Sequence, residues 1–432
     1  MRPALVTEVP GPRSRQLAGD LRRYESRNLT YVSDGFPIFW ERAEGANIWD
    51  VDGNRFLDLN GGFGVATAGF GSAHVVETFR HQAGDLYHGM GDVHPSRLKV
   101  ELCRALSRVT FERWGVGEGK CILGCAGFEA VEAALKTAFL ATGRPRVLAF
   151  DGGYHGLGYG AMSVTGMPEF RKPFLDQLRT FVNFLPFQDA RRGRAVAEVR
   201  SEMDALLSQQ QIGAILVEPI QGRGGEKFPQ EGFLAMLREM ADVHGCLLIF
   251  DEIYTGFFRT GDWFACDHWG VVPDLVCLGK GLTGSYPLSA CVGQAKWMDA
   301  WPETQGEALH TSTFLGSPMG CALALASLRF WSDPERPHEV DRVSDFFACA
   351  LEPLRSLPGV EEVRGKGLLW AVELTQHSAA SSLVEPALRQ GLILLPAGDE
   401  GRVISIKPGL CHTEDDAHYA GKILADLIST RC

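Results

Sequence analysis

The chain reads as an α/β protein, a mostly parallel sheet with helices on both faces, followed by a small α+β domain. Three observations lead there. Between about residue 98 and residue 325, short apolar runs rich in branched residues recur; amphipathic stretches of helical length separate them; after about 326 the alternation stops. Strands joined through helices pair in parallel and are covered on both faces.

Taken in order, residues 1–35 are polar and irregular, with one short helix expected around Leu17–Arg27. The run "ANIWDVDGNRFLDL" (46–59) alternates and turns at Asp52-Gly53-Asn54, as a β-hairpin does. The runs "RVLAF" (146–150), "GAILVE" (213–218), "CLLIFDE" (246–252) and "DLVCLG" (274–279) have the length and composition of buried strands. "EAVEAALKTAFLATG" (129–143) and "GFLAMLREMADVHG" (232–245) carry helical periodicity. Past 326 a helix leads into "VEEVRGKGLLWAVEL" and "VISIKP", then a last helix. The expected division is an N-terminal arm and part of a small domain (1–60), a large domain (61–325) and a C-terminal small domain (326–432).

Composition narrows the function. The 432 residues are 45% hydrophobic and 22% charged, an ordinary globular balance. A net charge of -11 with interspersed signs argues against nucleic-acid or anionic-membrane partners. No apolar run approaches a membrane span, and the first residues lack the apolar stretch of a secretory leader, so a cytoplasmic location is expected. Cys246, Cys277 and Cys291 sit in apolar runs and read as reduced core thiols. Cys121 and Cys125 bracket "ILG", but no second ligand pair accompanies them, and no metal site is expected.

In an open α/β sheet, functional residues collect beyond the carboxyl ends of the strands. Here those ends carry Asp151, Glu218, Asp251-Glu252 and Lys280. Lys280 lies in "LGKGLTG", which matches the dinucleotide fingerprint G-x-G-x-x-G. That fingerprint needs a helix opening inside the loop. Pro287 and the strand-like "LSACVG" leave no room for one. A phosphate-cradling Walker loop also fails, because Asp274 stands at its first glycine and Gly281 follows the lysine. A lysine that forms a Schiff base suits the segment better, since flanking glycines clear the approach to it. Pyridoxal phosphate (PLP) asks in addition for an anion site, a carboxylate at its ring nitrogen and a flat face. The turn "GCAG" opening the helix of "FEAVEAALKTA" offers the first, Asp251 the second and Tyr154 in "DGGYHG" the third.

Together these segments resemble the class III PLP-dependent aminotransferases, the ω-amino-acid, ornithine and GABA type. The resemblance runs from "EGANIWDVDGNRFLDL" through "YHG", "ILVEPIQGRGG", "DEIYTGFFRTG", "PDLVCLGKGLTGSYPLSA" and "STFLGSP" to "VRGKGLLWAVEL". It implies PLP fold type I, with a seven-stranded, mostly parallel sheet in the large domain. On this likeness Lys280 is the Schiff-base lysine and Asp251 the partner of the ring nitrogen. Ile253 and Tyr154 pack on the two ring faces, while Gly127 and Phe128 lie at the phosphate. Glu218 matches the glutamate of the family's "EPVQG". Thr313 matches a threonine that reaches the phosphate of a neighbouring subunit, which implies a homodimer.

Several positions depart from the pattern. Phe128 stands where a hydroxyl is usual, and Tyr254 replaces the glutamine of "DEVQTG", where its phenol is a cofactor-binding candidate. The two arginines that grip substrate carboxylates in relatives align with Leu157 and Ser405. Their loss removes a bidentate fork. Arg223, in "QGRGG", is a substrate candidate, with a surface ion pair as its bland alternative; Trp40 is a second candidate, and Phe63 reads as entrance or core. The expected reaction moves an amino group from an amine or ω- or β-amino-acid donor to a keto-acid or aldehyde acceptor, with Lys280 moving the proton. Racemase, aminomutase and decarboxylase chemistry share the same framework. A cofactor-binding protein without turnover and an NAD-dependent dehydrogenase are the rival classes.

Overall fold

The computed structural model describes residues 1–209 and 211–431. Contacts divide it into two compact units, residues 1–72 with the chain from Glu335 onward, and Ala73–Pro334. The sequence expectation puts these joins at 60/61 and 325/326.

The Ala73–Pro334 unit holds a seven-stranded sheet. Its strands are β1 (Gly119–Gly124), β2 (Arg146–Phe150), β3 (Val182–Leu185), β4 (Ile212–Val217), β5 (Leu247–Asp251), β6 (Leu275–Leu278) and β7 (Ser289–Gln294). The spatial order is β1-β7-β6-β5-β4-β2-β3. Only β7 runs against its neighbours; the pairs β6–β5, β5–β4, β4–β2 and β2–β3 are parallel. The mostly parallel seven-stranded sheet is therefore present. Every residue of β4, β5 and β6 is buried, as expected of central strands covered on both faces. β3 is absent from the expected strands because, as an edge strand, it buries only Leu185 and has no continuous apolar run.

Helix α1 (Gly127–Thr142) lies against this sheet through alanines. Ala130, Ala133, Ala134 and Ala138 are buried in one cluster with Val147, Leu216, Ile249 and Cys277. Small side chains let the helix axis come close. Gly143, with φ 66°, ends α1 in a left-handed cap whose N–H donates to the Phe139 carbonyl. Helix α2 (Phe233–His244) ends the same way at Gly245.

In the other unit, Asn47–Asp50 and Arg55–Asp58 form the expected hairpin, with Asn47 opposite Leu57. Asp50 Oδ1 accepts from the N–H groups of Asp52 and Asn54 and so shapes the turn. The strands Val360–Lys366, Leu369–Leu374, Leu395–Ala397 and Val403–Ile406 form a second sheet. The first helix is Pro12–Tyr24, earlier than the expected Leu17–Arg27. Its start is set by a distant residue: both Asp52 carboxylate oxygens accept from the first turn, at Arg13 N (2.8 Å) and Ser14 N (2.9 Å).

Candidate active site

The carboxyl ends of β5, β4 and β6 and the loop after β2 bring together most of the expected residues. Asp251 is the last residue of β5, and the chain turns at once, with Ile253 N–H donating to Asp251 Oδ1 at 3.1 Å. The second oxygen of Asp251 lies 2.8 Å from His155 Nδ1, and both side chains are almost wholly removed from solvent. A buried carboxylate is tolerable only with such a partner. The His155 main chain is itself pinned, its N–H donating to Thr165 Oγ1 at 3.1 Å.

Glu218 follows β4 and is also buried. Its Oε1 accepts from Tyr154 N–H at 2.8 Å and its Oε2 from Gly222 N–H at 3.0 Å. One side chain thus ties the loop after β2 to the loop after β4. Gln221 repeats the tie, donating from Nε2 to the Asp151 carbonyl at 2.8 Å. Burial pushes the Glu218 carboxyl up to about 7; the charge of His155 lowers it and that of Asp251 raises it further.

Lys280 follows β6 and Gly279. It takes φ 41°, a left-handed conformation that costs a side-chain-bearing residue roughly 1–2 kcal/mol. Burial lowers its pKa, favouring the neutral amine. Asp251 and Glu218 oppose that effect, while Arg223 and Arg259 add to it. Lys280 Nζ stands 4.9 Å from the centre of the Tyr254 ring, and the Tyr254 hydroxyl donates to Glu226 Oε1 at 3.2 Å. The segment that matches the nucleotide fingerprint is a single turn of 3-10 helix, Lys280–Leu282, which runs on to β7 with no α-helix, as the sequence led one to expect.

The glycines serve more than the lysine. A Cβ on Gly127 would sit 3.1 Å from Ile253 Cδ1, and one on Gly279 would sit 3.2 Å from Ile253 Cγ2, so both make room for Ile253. A Cβ on Gly222 would come within 2.6 Å of the Tyr254 ring. Phe128, in place of a hydroxyl, fills space left by Gly156 and Gly158, where added Cβ atoms would lie 2.5 and 2.6 Å from its side chain. Gly127 and Phe128 open α1, and the first N–H groups of a helix have no intrahelical acceptor. Glu129 accepts from Ala126 N–H at 3.3 Å and from Cys125 N–H, and Ser289 Oγ donates to the Ala126 carbonyl at 2.7 Å.

Tyr154 packs edge-on against Phe170, with 5.5 Å between ring centres. Arg223 lies over both rings, its guanidinium carbon 4.7 Å from the Tyr154 centre and 5.0 Å from Phe170. Other expected residues are not brought into this cluster within the chain. Thr313 and Leu157 are exposed, and among the described residues no hydrogen bond joins Thr313 to Lys280. Trp40 and Ser405 belong to the other unit. There, Trp40 is exposed and meets Phe70 edge-on, while buried Ser405 accepts a hydrogen bond from Lys407 Nζ. Sequence reasoning missed His155 as the partner of Asp251; its position beside Tyr154 after a strand end was the available signal. A separate cavity of about 540 Å³, lined by residues including Cys121, Trp301 and His310, contains none of these groups.

Comparison with known proteins gives the same direction. The family model described as aminotransferase class-III matches residues 30–428. A 4-aminobutyrate aminotransferase of Mycobacterium leprae is 35% identical over 95% of this chain and 94% of its own length. An acetylornithine aminotransferase of Methanopyrus kandleri is 34% identical over 91% of this chain and 95% of its own. Among solved structures, a PLP-bound amine transaminase from an uncultivated Pseudomonas species superposes with a TM-score of 0.85 at 29% identity, covering 95% of this chain and 99% of that one. The ornithine aminotransferase of Toxoplasma gondii gives 0.83 at 28% identity, covering 96% and 94%. Fold, motifs and relatives agree, and the chain belongs to the class-III aminotransferases, enzymes that transfer amino groups with PLP.

Proposed function

We propose that the cluster around Lys280 is the catalytic centre, with Lys280 as the Schiff-base lysine. The observation that carries this reading is a half-buried lysine, pushed toward its neutral form, in the field of the buried Asp251–His155 pair.

The residues present fit PLP. Backbone N–H groups at Gly127 and Phe128 suit its phosphate, and the room left by Gly127 and Gly279 seats Ile253 as an apolar wall. Asp251, kept in place by His155, suits a protonated ring nitrogen. Tyr154 offers the second flat wall, and the Tyr254 hydroxyl a hydrogen bond. When bound, PLP supplies an aldehyde for amines and a sink for the electrons left on a substrate carbon.

The chain's own residues do the rest. Lys280 Nζ, as a neutral amine, takes the proton from the substrate carbon that bears nitrogen and would deliver it to the carbon derived from the cofactor's aldehyde, so that the amino group leaves the substrate. Its lowered pKa makes that form available below the usual lysine range. Asp251 would accept a hydrogen bond from the protonated ring nitrogen, and His155 keeps the carboxylate from turning away. Glu218 is a positioning residue: it fixes Tyr154 and the Gly222 loop through their backbone N–H groups.

We infer further that the enzyme is a homodimer in which Thr313 serves the neighbouring site; its exposure within one chain supports this. A cytoplasmic location is also proposed. Among the described residues no helix is long and apolar enough to cross a membrane, and ten cysteines are unpaired thiols. The test of function is a screen of amines against the PLP-loaded enzyme, following loss of the aldehyde form of the cofactor. A transaminase stalls after one turnover until a keto acid or aldehyde is added. A racemase of the same family continues without one.

A further inference from the structure

The residues normally credited with gripping a substrate carboxylate are absent at Leu157 and Ser405, yet one guanidinium is held over the site's aromatic wall. The loop that carries it is tightly seated. Gln221 and Lys227 pair through both main-chain hydrogen bonds, at 3.1 and 3.0 Å. Gly222 N–H is taken by Glu218. A side chain at Gly222 would strike Tyr254, and one at Gly224 would lie 2.7 Å from the Gly152 carbonyl. Between these two glycines, only Arg223 projects to solvent. Its guanidinium rests over Tyr154 and Phe170, and among the described residues no carboxylate lies within ion-pair distance of it. Its charge is felt at Lys280.

A guanidinium stacked on aromatic faces keeps its N–H edge free and loses little freedom when that edge is used. The matching ligand is a planar anion that accepts two parallel hydrogen bonds. We propose that Arg223 is the specificity-determining residue of this enzyme and binds the carboxylate of the amino donor, so that amino acids are preferred over simple amines. The proposal rests on the transaminase reading for its substrate and on the Tyr154–Phe170 shelf for its geometry. Tyr154 thereby does two things, walling the cofactor site and seating the cation.

The test compares 4-aminobutyrate with butan-1-amine, which have the same number of carbons and differ in the carboxylate. The half-reaction is followed on the PLP-loaded wild type, Arg223→Gln and Arg223→Lys. The loss of kcat/KM in Arg223→Gln is expected to be larger for the carboxylate substrate by on the order of tenfold to a hundredfold, with Arg223→Lys between. Succinate binding to the loaded enzyme, measured by calorimetry, is expected to weaken in the same order. Equal losses for both amines, or unchanged succinate binding in Arg223→Gln, would overturn the assignment. The calorimetry needs no turnover. A wild type that converts neither amine but still shows the Arg223-dependent succinate difference would count against amino transfer, and for Arg223 as a carboxylate site.

Discussion

Glu218 offers a prediction whose size can be worked from its surroundings. In the folded protein its carboxyl titrates near 7 against an ordinary 4.5, with burial as the main cause. Below 4.5 both folded and unfolded forms are protonated and nothing is lost. Between 4.5 and 7 the unfolded chain ionises first, so the folded state binds more protons and stability falls as pH rises. Above 7 both are ionised and the full penalty, about 3 kcal/mol, is in place. Glu218→Gln is neutral at every pH. It keeps one acceptor oxygen but turns an amide N–H₂ toward Tyr154 N–H or Gly222 N–H, a fixed cost of about 1–3 kcal/mol. The difference between variant and wild type therefore moves in favour of the variant by about 3 kcal/mol from pH 4.5 to pH 8.5. Thermal melting of the cofactor-free proteins reads this as a relative gain of roughly 3 °C for the variant. A difference that does not change with pH, or one that moves in favour of the wild type, would show that burial does not raise the Glu218 carboxyl.

Two more perturbations address the site directly. His155→Ala leaves Asp251 buried without its partner, and PLP affinity, measured by fluorescence titration, should fall at least tenfold on the order expected for breaking a buried pair; His155→Asn, which can still donate to the carboxylate, should recover part of it. Gly222→Ala drives a methyl group into the Tyr254 ring, and its melting temperature should drop by an amount equivalent to about 1–3 kcal/mol of overpacking, with an unchanged melting temperature contradicting the close contact.

The parts of this molecule legible in its sequence are those set by neighbours along the chain. β4, β5 and β6 are central strands, buried on both faces, and so appear as unbroken apolar runs. Lys280 and Asp251 stand out because polar residues at the ends of such runs are conspicuous. The parts that were not legible depend on which strands lie side by side. His155 and Asp251 are 96 residues apart, and Tyr154 and Glu218 are 64 apart; both pairs meet only because β2, β4 and β5 are adjacent. The start of the first helix was misplaced for a related reason, since its cap comes from Asp52 in the hairpin turn. The glycines around Lys280 were read as clearance for the lysine, whereas Gly279 and Gly127 both yield space to Ile253, a contact that periodicity does not reveal.

The proposed chemistry requires Lys280 to be the residue to which the cofactor is bound. Borohydride reduction of the PLP-loaded enzyme, followed by digestion and mass mapping, tests it most directly. Loss of the visible absorption is expected, with one phosphopyridoxyl group fixed on the peptide containing Lys280 and no such label in Lys280→Ala. A label on any other lysine, or an unlabelled and colourless protein after incubation with PLP, would contradict it.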